Sequence, residues 1–238
     1  MKKPNKSNYA KRYKVPNSRL LNYINNTCTS TYNFAEGAVR SAKTTSNIIA
    51  MAMNLEESDD ILHLAIGVTN SSARTIIFES DGFGLKYYPE WTERVEMHNG
   101  KKVKFSQRVF TGKYEGNDCL ILLPKPGSDK PIKYIVAMGG GLANSYESFH
   151  GWSVGIVIPT EYDLLHANTW QAIQSRTASS RHRRIFADFN PTDENHAVYK
   201  RLNDLSKSTG GYNYIHVTLK DNPAMSKERI DEIISEYD

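Results

Sequence analysis

The sequence predicts an α/β fold with a mainly parallel central sheet flanked by helices, plus an antiparallel extension or insertion. Apolar runs of strand length alternate with stretches of helical spacing along most of the chain, the pattern of strands joined by crossover helices. One run, Ile61 to Val68, is almost continuously apolar, as a strand covered on both faces must be. A loop, Gly37-Ala38-Val39-Arg40-Ser41-Ala42-Lys43-Thr44, follows a short aromatic and apolar strand and leads into a helical run, Thr45 to Leu55. It therefore ends at a helix N-terminus.

Taken in order, residues 1–30 are polar and basic and read as an arm with a short helix from Ser18 to Asn25. After the loop, its helix and the Ile61–Val68 strand, Thr69 or Asn70 caps a helix through Ala73, Ile76, Ile77 and Phe78 that stops near Asp81-Gly82. Alternation on both sides of Asn99-Gly100 predicts a hairpin, and further strands at Cys119–Leu123 and Ile132–Met138 complete a β-rich insertion over about 92–138. Ser153 to Ile158 reads as a buried strand, Asp163 to Thr177 as a helix, and Arg184 to Phe189 as a strand stopped by Asn190-Pro191. A helix through Ala197, Val198 and Leu202 and a strand from Tyr212 to Leu219 end the core, set at 31–220, with 221–238 as a closing linker.

The loop keeps the first Gly, the Lys and the Thr of the phosphate-binding pattern G-x-x-x-x-G-K-[ST] (Walker A), with Ala42 where the second Gly is usual. Free backbone N–H groups and the positive end of the helix dipole suit a phosphate there. Lys43 would reach the β- and γ-phosphates and the Thr44 hydroxyl would hold Mg2+. A plain β-turn-α connection containing a lysine is the competing reading; the strand before and the helix after favour the phosphate loop. Ala42 is acceptable wherever the position does not need positive φ.

Nucleotide hydrolysis at such a loop needs a second strand whose end presents carboxylates, one for the metal shell and one to polarise water. The strand ending near Ile158 offers Glu161 as the base, acting on the metal side through water. Thr160 stands where the other acid is usual, and Asp163, two residues on, is the alternative.

Composition fits a soluble globular chain: of 238 residues 39% are hydrophobic and 24% charged, with 14 Tyr. No apolar run approaches the roughly 18 residues of a membrane span, and the N-terminus lacks a signal peptide's apolar segment, so the cytoplasm is expected. Cys28 and Cys119 are too few and too far apart for a disulfide framework or a thiolate zinc site. The net charge of +4 conceals two basic clusters, one over Lys2–Arg19 and one at Arg176, Arg181, Arg183 and Arg184, that suit phosphate backbones.

In order and spacing, four segments resemble the large subunit of tailed-phage terminases, the motor that packages double-stranded DNA into procapsids. They are Glu36 to Thr44; Gly140-Gly141-Leu142-Ala143-Asn144-Ser145-Tyr146; Glu161-Tyr162-Asp163-Leu164-Leu165 with Ser175-Arg176; and Asn190-Pro191 with His196. Asp221 to Glu228 also looks like the segment that closes that family's ATPase domain.

The resemblance implies a P-loop NTPase domain of ASCE type that uses ATP and Mg2+. Lys43 and Thr44 match the nucleotide-binding Lys and magnesium-binding Thr, Arg40 an arginine carried inside the loop, Glu161 the catalytic Glu, and Asn190 the coupling motif that senses the γ-phosphate. Ala42 and Thr160 depart from the pattern. An arginine finger is expected from Arg40 in cis or Arg176 in trans, with Arg74 and Arg108 as further candidates. The implied partners are double-stranded DNA without sequence preference, a portal protein, a small terminase subunit, and further copies in a ring on the procapsid. The isolated chain is expected to be monomeric, and the location the host cytoplasm. The nuclease domain that usually follows is absent from this sequence, so no DNA cleavage is expected. The alternative is a nucleotide-dependent DNA-binding or assembly factor with little hydrolysis.

Overall fold

A computed structural model of the protein describes residues 17–98, 101–209 and 211–236. The basic residues before Asn17 and the Asn99-Gly100 turn lie outside the described residues.

The strands in chain order are β1 (Tyr32–Gly37), β2 (Leu62–Gly67), β3 (Arg94–His98), β4 (Lys101–Phe105), β5 (Val109–Tyr114), β6 (Asn117–Leu122), β7 (Lys133–Gly139), β8 (Ile156–Pro159), β9 (Arg184–Phe189) and β10 (Asn213–Val217). Eight form one sheet in the order β10-β1-β9-β8-β2-β7-β6-β5. The pairs from β10 to β7 are all parallel, while β6 and β5 add antiparallel to the β7 edge. The expected mainly parallel sheet with an antiparallel extension is therefore present. The seam falls at β7, which pairs parallel with β2 and antiparallel with β6. β3 and β4 form a separate two-stranded ribbon, β4 being exposed along its length.

The helices are α1 (Ser18–Asn26), α2 (Lys43–Glu57), α3 (Asn70–Ala73), α4 (Ala167–Arg176), α5 (Ala197–Thr209) and α6 (Lys227–Ser235). Both central strands β1 and β2 are buried along their whole length. Their side chains alternate between two cores, as period-2 geometry requires. On one face Ala35, Ala65, Ile156, Ile158 and Phe186 meet Ile48, Met51 and Leu55 of α2. On the other Phe34, Leu64, Val157 and Ile185 meet Trp170 and Ile173 of α4 and Val198 and Leu202 of α5. The result is a three-layer α/β/α arrangement with α2 under the centre of the sheet.

Several boundaries differ from expectation, each for a local reason. α3 passes at Arg74 into a π-helical turn that runs to Glu79, and Ser80 and Asp81 then adopt positive φ (37° and 49°), which ends it. The helix expected from Asp163 starts at Ala167, because Tyr162–Leu164 forms a 3-10 turn and His166 caps α4 by accepting the Asn168 amide at 3.2 Å. The closing linker contains α6, capped by Ser226. Among the described residues no helix is long and apolar enough to cross a membrane.

Candidate active site

β1 delivers the loop. Gly37 is required by close approach, since a Cβ there would lie 2.3 Å from the Val217 carbonyl oxygen of β10. The chain then turns through two left-handed residues, Arg40 (φ 66°) and Ala42 (φ 74°). Positive φ costs a non-glycine residue roughly 1–2 kcal/mol. This corrects the sequence-based expectation for Ala42: the position does need the conformation that glycine adopts freely. Ala42 is also the N-cap of α2 and has no side chain to accept the first amides of the helix. Those amides face the loop uncapped, an arrangement that suits an anion.

Lys43 opens α2 and is 8% exposed. Its Nζ donates to the Ala38 carbonyl at 3.2 Å and to Asn190 Oδ1 at 2.9 Å, so the loop lysine and the residue just beyond β9 are joined directly. Burial holds the Lys43 ammonium below its ordinary pKa although Asp188, Asp163 and Glu161 all pull the other way. An anion beside it would relieve that penalty.

Glu161 follows β8 with φ 52°, and its backbone N–H donates to Asp188 Oδ1 at 3.3 Å. Thr160, 1% exposed, donates its hydroxyl to the same oxygen at 2.9 Å. Asp188 is itself 1% exposed; burial raises its pKa, opposed by Lys43, Thr160, the Glu161 amide and the Thr44 side chain. Two buried carboxylate oxygens here, Asp188 Oδ2 and Asp163 Oδ1, have no hydrogen-bond partner. Uncompensated acceptors beside a helix N-terminus fit a cation accompanying an anion. Among the described residues no group of three or more His, Cys, Asp or Glu could hold a metal alone. A hard divalent ion held by a hydroxyl and few carboxylates fits such a site when it arrives with phosphates.

Gly37, Ala38, Val39, Arg40, Ser41, Ala42, Lys43 and Thr44 thus run from the end of β1 through the turn into the start of α2; Asn190 bonds Lys43 directly, and the Glu161 and Asp163 carboxylates act on the Lys43 charge. Asp188 is the member that sequence reasoning missed. Its signal was present: a lone ionisable residue inside the apolar run Ile185–Phe189 has to be paired or functional.

The arginines separate. Arg40 is exposed in the loop, its carbonyl accepting Asn222 Nδ2 at 2.7 Å. Arg176 is not brought to the loop: its carbonyl accepts the Val154 amide before the start of β8, at the opposite end of that strand, and its Nη2 lies 3.2 Å from His150 Nδ1. Arg108 is held in a bidentate pair with Glu56 at 2.9 and 3.0 Å. Arg74 lies 3.9 Å from Asp118. In the second basic cluster Arg183 caps the Tyr32 ring and bonds Thr177, while Arg184 donates to the Cys28 carbonyl. A cavity of about 420 Å3 opens beside the loop between Arg40, Thr45, Ile49, Phe83, Pro223 and Met225. Its volume suits a small molecule.

No family model and no curated protein sequence matches the chain. Solved structures do. The large terminase of a thermophilic bacteriophage superposes with a TM-score of 0.71 at 15% identity, over 92% of this chain and 50% of that one. The same protein in complex with ATP-gamma-S gives 0.68 at 14% identity, over 92% and 49%. The large terminase ATPase domain of Thermus phage P74-26 gives 0.58 at 14% identity, over 99% and 92%. The chain spans about half the length of the first of these proteins and nearly all of the Thermus phage domain. It has the fold of a phage large-terminase ATPase domain.

Proposed function

We propose that this chain, built on the fold of a terminase ATPase domain, is a Mg2+-dependent ATPase that drives translocation of double-stranded DNA into procapsids. The observation that carries the reading is the hydrogen bond from Lys43 to Asn190, which ties the phosphate loop to the end of the neighbouring strand β9. In this reading residues 31–220 are the ATPase core and 221–238 a closing segment; α1, expected to belong to an arm, instead packs into the core through Leu20, Tyr23 and Ile24. The uncapped amides of Lys43 and Thr44 and the Lys43 ammonium hold the β- and γ-phosphates, and the cavity between Ile49, Phe83 and Met225 takes the nucleoside. The Thr44 hydroxyl and, through water, Glu161 would hold Mg2+, which would supply charge neutralisation to the phosphates.

Glu161 accepts the proton of the attacking water, held by a backbone bond to β9 that fixes where its side chain starts. A γ-phosphate drawing on the Lys43 ammonium competes with Asn190 for it. That competition is a direct means for β9 to register whether the γ-phosphate is present. Arg40 stabilises the transition state in cis, or Arg176 does so in trans from a neighbouring copy in a ring. The further partners in this reading are a portal protein and a small terminase subunit, with the host cytoplasm as the place of action.

Phosphate release measured with and without duplex DNA tests the reading: DNA-stimulated turnover supports the motor. DNA binding should weaken steeply with salt and ignore sequence, because phosphate contacts release counterions. A rate that rises more than linearly with protein concentration supports Arg176 in trans. The left-handed Ala42 and the Thr160 substitution favour one second reading, an assembly factor that binds ATP and hydrolyses it little. Tight binding without turnover would select it.

A further inference from the structure

β9 lies between β1 and β8, so the end of β9 stands between the phosphate loop and Glu161. Its residues alternate: Ile185, Ala187 and Phe189 pack on the α4 and α5 side, whereas Phe186 packs on the α2 side. Asp188 shares the parity of Phe186 and so faces α2. At that depth an apolar residue would be the default, because an ionisable side chain loses its hydration without compensation.

The contacts of Asp188 account for only one of its oxygens. Oδ1 accepts the Thr160 hydroxyl at 2.9 Å and the Glu161 amide at 3.3 Å. Oδ2 is buried with no partner. The nearby Lys43 ammonium spends its hydrogen bonds on Ala38 and Asn190 at 3.2 and 2.9 Å instead. A counter-ion for the lysine would be expected to take that bond. The Thr44 side chain, by contrast, favours the ionised carboxylate.

Thr160 supplies the complementary half. It occupies the end of β8, where a phosphate-loop hydrolase ordinarily carries its metal-shell acid, and its hydroxyl is turned onto Asp188. We propose that Asp188 provides, from β9, the carboxylate for the Mg2+ shell that Thr160 does not provide from β8. The inference rests on the nucleotide reading above and names which residue of this chain meets the metal beside Thr44. Thr160 is then a positioning residue that holds Oδ1 and leaves Oδ2 for the metal side.

The test is calorimetric binding of ADP and ATP-gamma-S to the full chain, in Mg2+ and in EDTA. Asp188→Asn keeps the acceptor for Thr160 and Glu161 and changes the oxygen that has no partner. Affinity in EDTA should be kept, and the gain conferred by Mg2+ should fall by about 10-fold or more, the usual loss when a metal's supporting carboxylate is removed. The exchange Thr160→Asp with Asp188→Thr should restore that gain, because it moves the carboxylate back to β8 and the hydroxyl to β9. An unchanged Mg2+ gain in Asp188→Asn, with altered affinity in EDTA, overturns the inference and makes Asp188 a counter-ion of Lys43 while the nucleotide reading stands. If Asp188→Asn does not fold, the exchange variant decides: a kept gain supports the inference and a lost gain overturns it. No binding by the wild-type chain under either condition overturns both.

Discussion

Lys43 Nζ lies 2.9 Å from Asn190 Oδ1, which places the end of β9 in direct contact with the group that would hold the γ-phosphate. The two residues should separate in their effects. Lys43→Ala is expected to abolish nucleotide binding and hydrolysis with the fold kept, because the side chain bonds the loop and β9 rather than filling the apolar core. Asn190→Ala should leave affinity within a few-fold and lower turnover more. Equilibrium binding and steady-state phosphate release distinguish the two, and wild-type turnover in Lys43→Ala would remove the proposed site.

Glu161→Gln should keep nucleotide affinity and lose turnover by about 100-fold or more, since the amide keeps the shape but takes no proton. Its Asp188 contact runs through the backbone, so it survives the change. If turnover also survives, Asp163 becomes the base, and Asp163→Asn in the same assay would reveal it.

Ala42→Gly tests the loop's strain. Relief of about 1–2 kcal/mol at φ 74° is partly offset by roughly 0.5–1 kcal/mol of extra chain entropy in glycine, leaving a net stabilisation of about 1 kcal/mol. Urea denaturation should show a higher midpoint with an unchanged slope. An equal loss of stability would mean the loop does not hold that conformation in solution.

The Glu56–Arg108 pair joins α2 to the segment that enters β5, and Trp91 Nε1 donates to the same carboxylate at 2.7 Å. Arg108→Met should cost about 1–3 kcal/mol, because the largely buried carboxylate loses its bidentate partner and keeps only Trp91 Nε1 and Lys125 Nζ, the latter at 3.7 Å. Glu56→Met together with Arg108→Met should recover much of that. Thermal unfolding of the four combinations gives the coupling, and an additive result would argue against a direct pair.

Stability should fall on mild acidification through His63. The ring is fully buried, with Nδ1 accepting the Ile156 amide at 3.1 Å and Nε2 3.0 Å from the Asp60 carbonyl, and burial lowers its pKa to about 3. The unfolded chain protonates this histidine near pH 6.5 and the folded chain does not. The stabilisation is complete above that pH and is lost progressively as pH falls towards 3, amounting to roughly 2 kcal/mol between pH 7 and 5. His63→Gln should flatten that portion of the stability–pH curve, whatever its effect at pH 7.

Residue pattern alone was enough for the layer arrangement and the loop. Alternating apolar runs and helical spacings state local geometry, and Gly37, Lys43, Thr44, Glu161 and Asn190 lie in segments whose residue types report a turn, a helix start or a strand end. What the pattern could not state was adjacency. β9 enters the sheet between β1 and β8, strands that precede it by well over a hundred and by about thirty residues, and only that insertion brings Asp188 against Thr160 and Thr44. The left-handed turn at Ala42 is likewise seen only in the folded loop, where Gly37 lies hard against β10 and Ala42 stands at the N-cap of α2 with positive φ. Local sequence encodes propensity over a few residues; strand order and backbone closure are set by burying both faces of the sheet at once, which only the folded chain does.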